Sequence, residues 1–198
     1  MNILESIFLQ IGLGWSFSKI LVYILVIIFS VILARFQRRW STKIVWIYWS
    51  RIIFVSIFPV LLYFAFNPIY AGDLVDYSEE VDDEFVFKTE KCLNIIVLKG
   101  CPHCKNTVQF SDMLLKRNPS IKINYVVLGL DNENRGFLDE INKNCTIEFV
   151  KESKKLQALT KGSFPTFVLS ENSKARRRWG NDKFGFRSLD VIENYLVD

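Results

Sequence analysis

The sequence predicts an α/β domain, a central mixed sheet flanked by helices, preceded by a two-helix transmembrane hairpin. Three observations predict it. Two long apolar runs flank a short basic loop in the first third of the 198 residues. Beyond an acidic stretch, apolar β-branched runs alternate with helical patterns. At the first strand-to-helix junction stands Lys99-Gly100-Cys101-Pro102-His103-Cys104-Lys105, two cysteines separated by two residues.

Composition sets the outer bounds. Half of the residues are apolar and 17 are Phe, more than one ordinary soluble domain would bury, so a membrane part is expected. The net charge of +4 conceals basic and acidic blocks that lie apart. Nothing points to nucleic-acid binding. Four cysteines do not make a disulfide scaffold, so the compartment follows from topology instead.

Residues 1–71 form the expected membrane region. Met1 to Trp15 has one acid, Glu5, and reads as a short interfacial helix; it lacks the basic start and small-residue cleavage site of a secretory signal. The apolar run Ile20–Ala34, extended back to Trp15 with Lys19 snorkelling to the headgroups, approaches the ~20 residues a bilayer requires and gives a first span over 15–34. The loop 35–43 carries Arg35, Arg38, Arg39 and Lys43 with no acid, and is expected to face the cytoplasm. A second span over 45–68 contains Pro59, with Trp40, Trp46 and Trp49 at its basic end. Arg51 either snorkels to the interface or pairs within the membrane. Residues 72–84 hold seven acids and no base and read as an exposed linker.

The third region, 85–198, is the folded domain. Phe85-Val86-Phe87 reads as a short edge strand. Asn94–Leu98 is a buried central strand, a helix follows from Cys104, and Ile121–Leu128 closes a βαβ unit. A helix is expected over 135–142, a brief strand over 146–150 and another helix over 151–159. Gly162 to Ser170 reads as a strand preceded by proline. Glu171-Asn172-Ser173 is a turn, Ala175–Trp179 the hairpin partner, and Ser188–Val197 a closing helix with Leu189, Ile192, Tyr195 and Leu196 on its apolar side.

The dithiol carries the chemistry. Cys101 is placed at a helix N-terminus with Pro102 in the first turn, where unpaired N–H groups and the helix dipole stabilise a thiolate. His103 adds a hydrogen bond or a positive charge nearby. Cys101 is then the attacking thiol, and Cys104, one turn deeper, resolves the mixed disulfide. A closed metal site needs four ligands, and only Cys92, Cys145 and His103 remain to supply two. A c-type haem would need His, not Lys105, after the second cysteine.

With Cys-Pro-His-Cys at one end and Phe164-Pro165-Thr166 opening a strand at the other, residues 84–198 resemble the thioredoxin superfamily. The resemblance implies that Pro165 is cis and lies against the dithiol, and that the backbone beside it receives substrate, so Phe164, Pro165 and Thr166 become substrate-binding residues. The strand and helix between the second core strand and the proline resemble the insertion of membrane-tethered TlpA- and ResA-like members, which suggests a reductase. The Cys-Pro-His-Cys tetrapeptide is that of DsbA-type oxidases, which suggests the opposite electron flow. More weakly, the hairpin is similar to the membrane half of DoxX- or MauE-like fusions, so it is either an anchor or a relaying unit.

Cys92 and Cys145 fall at the strand ends opposite the dithiol, ~20 Å from Cys101 for a six-residue strand. They are either free thiols or a structural pair. Arg176-Arg177-Arg178 lies on an expected edge strand, as edge protection or as a contact for an acidic partner or anionic lipid. The reading is a thiol–disulfide oxidoreductase in a bacterial inner membrane, its domain facing the periplasm or cell exterior. It acts on cysteine-containing envelope proteins with a membrane redox partner and no cofactor. The alternatives are a tethered Cu(I) carrier and a redox-silent anchor.

Overall fold

The computed structural model describes residues 2–37, 45–98, 100–129, 136–151 and 154–197, in two compact units, Met1–Tyr70 and Ala71–Asp198. Most of the expected basic loop, with Trp40, lies outside the described residues, as do Lys99 and Arg135.

In the first unit α1 spans Ile3–Gln10, α2 Trp15–Gln37 and α3 Val45–Phe66, the last continuing through Pro59. The windows 15–37 and 48–66 are long and apolar enough to cross a membrane, with mean hydropathy 2.6 and 1.8. α2 and α3 run antiparallel, and each supplies a cation to the other's C-terminal end, where carbonyls lack helical partners. Lys19 Nζ donates to the Pro68 carbonyl at 3.4 Å, and Arg51 Nη2 to the Gln37 carbonyl at 3.3 Å. Lys19 was expected at the headgroups, and Arg51 either there or paired within the membrane. Lys19 is instead buried, because a carbonyl at a helix end offers the charge a partner inside the unit. Tyr23, one turn on from Lys19, donates its hydroxyl to the Asn67 carbonyl at 2.7 Å and stacks on Phe64.

The second unit contains α4 (Ala71–Leu74), β1 (Glu79–Val86), β2 (Cys92–Leu98), α5 (Asn106–Arg117), β3 (Ile123–Leu128), β4 (Thr146–Val150), α6 (Lys154–Thr160), β5 (Thr166–Glu171), β6 (Lys174–Gly180) and α7 (Phe186–Val197). The sheet order is β1-β6-β5-β2-β3-β4. β2, β3 and β4 are parallel, while β5, β6 and β1 alternate in direction beside them. On one face Ile96, Val126, Leu128 and Val168 pack with Leu156 and Leu159 of α6. On the other, Phe167 stacks on Phe184 at 3.5 Å with Phe110 of α5 edge-on to both, and Arg117 and Asn118 at the end of α5 meet Glu193 of α7. A mixed sheet with helices on both faces is the fold class the sequence predicted. The β5–β6 turn takes Asn172 and Ser173 at φ +50° and +65°, the left-handed pair a tight hairpin requires.

Three expectations are corrected. The stretch 72–84 is not a free linker: it holds α4 and most of β1. Its acids have partners far along the chain, as the Asp73 carboxylate accepts the Phe186 N–H at 3.2 Å and Asp76 accepts Trp179 Nε1–H at 2.8 Å. There Gly72 and Gly185 cross so closely that a Cβ on Gly185 would stand 2.4 Å from the Gly72 carbonyl carbon. The arginine strand is not an edge, because β1 covers it, with Glu79 opposite Arg178 and Glu80 opposite Arg177. The helix expected over 135–142 is, in its described part, a 3-10 turn, Gly136–Glu140, whose single turn suits the few consecutive bonds such helices sustain. For Cys92 and Cys145, left open as free thiols or a pair, the outcome is two free thiols.

Candidate functional site

β2 delivers the chain to the dithiol. Leu98 ends the strand, Gly100 turns it at φ +77°, and the Cys101 N–H closes the turn on the Leu98 carbonyl at 3.1 Å. Cys101 caps a short 3-10 turn, Pro102–Lys105, that runs directly into α5. Helix was expected from Cys104 onward. The tighter first turn follows from Pro102, whose fixed φ suits the opening position and which has no N–H to give.

Cys101 and Cys104 form a disulfide, with Cα atoms 5.4 Å apart. The two sulfurs differ in access: Cys101 is half-buried and Cys104 fully buried, while Pro102 and His103 are exposed beside them. Only Cys101 therefore meets an incoming sulfur. Beneath the pair, Thr107 donates its hydroxyl to the Cys104 carbonyl at 2.6 Å, fixing the start of α5, and Tyr125 of β3 donates to Ser111 at 2.9 Å. Lys105, just past the motif, is paired with Glu140 at 2.9 Å, which ties the 3-10 turn 136–140 to the dithiol helix.

The second half of the site arrives from the opposite direction in the sequence. The Phe164–Pro165 peptide is cis, and the Phe164 carbonyl oxygen lies 3.8 Å from Cys101 Sγ. Phe164 turns its ring toward the apolar cluster under α6 and leaves its backbone beside the sulfur. Pro165 is buried. Thr166 is fully buried with its hydroxyl donated to the Ser163 carbonyl, so its side chain braces the loop and only its backbone is left for a substrate.

The two spare thiols are unsuited to exchange. Burial pushes the Cys92 thiol up, and its sulfur contacts Asn94 and Ser170 at 3.4 Å each. Cys145 is pushed up to about 11 by burial and by the nearby Asp112 carboxylate. Both are therefore protonated near neutrality, and a thiol attacks disulfides poorly. Sequence reasoning gathered the dithiol and the proline loop but missed Thr107, Glu140 and Glu79, the last described below. Thr107 stands three residues after Cys104, a helical spacing that could have marked it.

No protein-family model matches the chain, and no curated protein matches it. Among solved structures it is similar to a secreted Mycobacterium tuberculosis disulfide oxidoreductase homologous to E. coli DsbE, at 15% identity over 55% of this chain and 81% of that one, with a TM-score of 0.42. It is also similar to a putative thiol:disulfide interchange protein DsbE from Chlorobium tepidum, at 16% identity over 55% of this chain and 78% of that one, again with a TM-score of 0.42. Likenesses of this depth assign neither an activity nor a subfamily.

Proposed function

We propose that the chain is a membrane-tethered thiol–disulfide exchange protein working through Cys101 and Cys104. One observation carries the reading: the more accessible sulfur of a short-loop disulfide lies 3.8 Å from a backbone carbonyl of the loop facing it. A peptide sulfur bonded to Cys101 must sit beside that carbonyl.

In the reducing direction the Cys101 thiolate attacks one sulfur of a substrate disulfide, forming a mixed disulfide and expelling one substrate thiolate. Cys104, after losing its proton, attacks Cys101 Sγ and expels the second. The substrate gains two electrons and two protons, and the dithiol becomes the disulfide. The oxidising direction is the same sequence reversed. Either direction requires a second redox protein to reset the pair, and we assign that role to a membrane partner.

Tethering rests on the two apolar helices. Only 28% and 6% of their apolar windows are buried within the protein, and a lipid phase would cover the remainder. With the arginines of loop 35–43 on the cytoplasmic side, the dithiol domain lies on the outer face of a bacterial inner membrane, where cysteine-containing envelope proteins are its substrates.

The test is acid quench and mass-tagged alkylation of intact cells in a Cys92→Ser/Cys145→Ser background, together with a Cys104→Ala variant. Exchange predicts that Cys104→Ala accumulates mixed disulfides through Cys101. A resting pair that is mostly disulfide assigns the oxidising direction, and a resting dithiol the reducing one. A Cys104→Ala chain that traps nothing, beside a wild type inert toward disulfides, overturns the reading.

A further inference from the structure

The loop that presents Phe164 to Cys101 is held from a distance by a single carboxylate. Glu79, the first residue of β1, accepts from Lys161 Nζ at 2.8 Å, from Arg178 Nε and Nη2 at 3.0 and 2.7 Å, and from Lys183 Nζ at 2.8 Å. Each cation belongs to a different segment around the proline. Lys161 sits on the loop itself, three residues before Phe164, in a left-handed conformation at φ +50°. Arg178 also donates from Nη1 to the Leu159 carbonyl at 2.6 Å and so holds the last turn of α6, from which the loop departs. Lys183 lies in the segment after β6, where the Asn181 N–H meets Ser163 Oγ at 3.4 Å on the far side of the loop.

We propose that Glu79 is a positioning residue for substrate: it holds the 160–165 loop so that the Phe164 backbone stands beside Cys101 at the height a peptide needs. The proposal rests on the exchange reading and names the residue that sets its peptide recognition. The electrostatics give the reason. Three cations converge on one carboxylate, so the cluster carries a surplus of two positive charges while Glu79 is ionised. Neutralising Glu79 raises the surplus to three and leaves the cations without the carboxylate charge that draws them together. Lys161 is the partner most free to leave, being 64% exposed, and it takes the loop with it. The dithiol chemistry does not depend on Glu79, since no contact of Glu79 reaches the segment 98–107 among the described residues.

The experiment uses the full chain in detergent micelles, in a Cys92→Ser/Cys145→Ser background and kept reduced by excess glutathione with the uncatalysed rate subtracted, with two probes: a small aromatic disulfide, dithiodipyridine, and a self-quenched peptide disulfide that must lie along the Phe164 backbone to react. Glu79→Gln is expected to raise KM for the peptide about five- to tenfold with kcat within twofold of wild type. The rate with the small disulfide and the Cys101/Cys104 equilibrium with glutathione are expected to stay unchanged. Lys161→Met is expected to raise the same KM, and the double variant no further than the larger single change, because the two residues act through one contact. A peptide KM that stays at the wild-type value in both Glu79→Gln and Lys161→Met overturns the proposal, as does an equal slowing of both probes. If Glu79→Gln fails to fold, Lys161→Met decides alone. A wild type that reacts with neither probe removes the exchange reading itself, an outcome distinct from the other two.

Discussion

The crossing of Gly72 and Gly185 yields the sharpest stability prediction. In Gly185→Ala the new Cβ would stand 2.4 Å from the Gly72 carbonyl carbon, 2.5 Å from its oxygen and 2.7 Å from the Asp73 nitrogen. Ordinary contact begins near 3.4 Å, so the two backbones must separate by about 1 Å. No flexible side chain stands between them to yield. The segment 71–76 then pulls away from the start of α7. The Asp73 bond to the Phe186 N–H, at 3.2 Å, and the Asp76 bond to Trp179, at 2.8 Å, lengthen beyond use. Hydrogen bonds to charged groups contribute about 1.5–3 kcal/mol each, and rehydration of the buried Asp73 and half-buried Asp76 as the segment opens returns some of that. The expected loss is about 2–4 kcal/mol, or a fall in Tm of roughly 8–16 °C for a unit of this size. Calorimetry of the full chain in micelles measures it, with limited proteolysis within 71–79 as a second readout of the same separation. Gly72→Ala should behave alike, since its Cβ would meet the Lys183 carbonyl oxygen at 2.5 Å. A Gly185→Ala melt within 1–2 °C of wild type would show that this segment is not seated as described.

Three further outcomes follow from the same contacts. Trp179→Phe keeps the aromatic packing on Phe184 but removes the donor to Asp76, and should cost about 1–2 kcal/mol in denaturant unfolding. Glu79 is held far below the usual carboxylate range by Lys161, Lys183 and Arg178; for Asp76, hydrogen bonds from Trp179 and Ser78 outweigh the opposing effect of burial. A depressed folded pKa means the unfolded chain binds more protons, so their stabilisation is full above the unfolded carboxylate pKa of about 4 and is lost as pH falls below it. Tm measured between pH 7 and 3 should therefore drop less steeply in Glu79→Gln than in wild type. With the dithiol oxidised, maleimide at neutral pH should label Cys92 and Cys145 slowly in the native chain and both promptly in denaturant, read by mass shift.

What the sequence could reveal depended on how far apart the partners of each residue lie. Strands such as those over 95–98 and 125–128, buried except at Leu98, announce themselves through continuous apolar runs, and both sit in the sheet where the pattern put them. The dithiol was legible because its two cysteines share one turn. The proline loop was found through the family resemblance, since its meeting with Cys101 spans 63 residues. β1 was hidden for a related reason. Acidic residues disfavour strands when judged locally, and the cations that make Glu79 acceptable lie 82, 99 and 104 residues downstream. Reading only the end of β1, at 85–87, as strand then led to the second error, because Arg176 to Arg178 can only look like a guarded edge if no strand pairs beyond them. Paired in register, the two misread segments explain each other: Glu79 faces Arg178 and Glu80 faces Arg177.

The reciprocal caps of the hairpin also act as a gauge. From Lys19 to Gln37 along α2, and from Arg51 to Pro68 across α3, the chain advances about 26–27 Å at the helical rise of 1.5 Å per residue. The hairpin thus has two polar rungs, Lys19 with Pro68 and Arg51 with Gln37, separated by a column whose outer surface is almost wholly apolar. That interval falls just short of the ~30 Å hydrocarbon thickness of a bilayer. Sliding one helix past the other by a single turn would break both rungs together, so the length of the apolar column is set by the protein; if the hairpin spans a bilayer as proposed, a thinner or thicker membrane must adjust to it by tilting or bending around a fixed ruler.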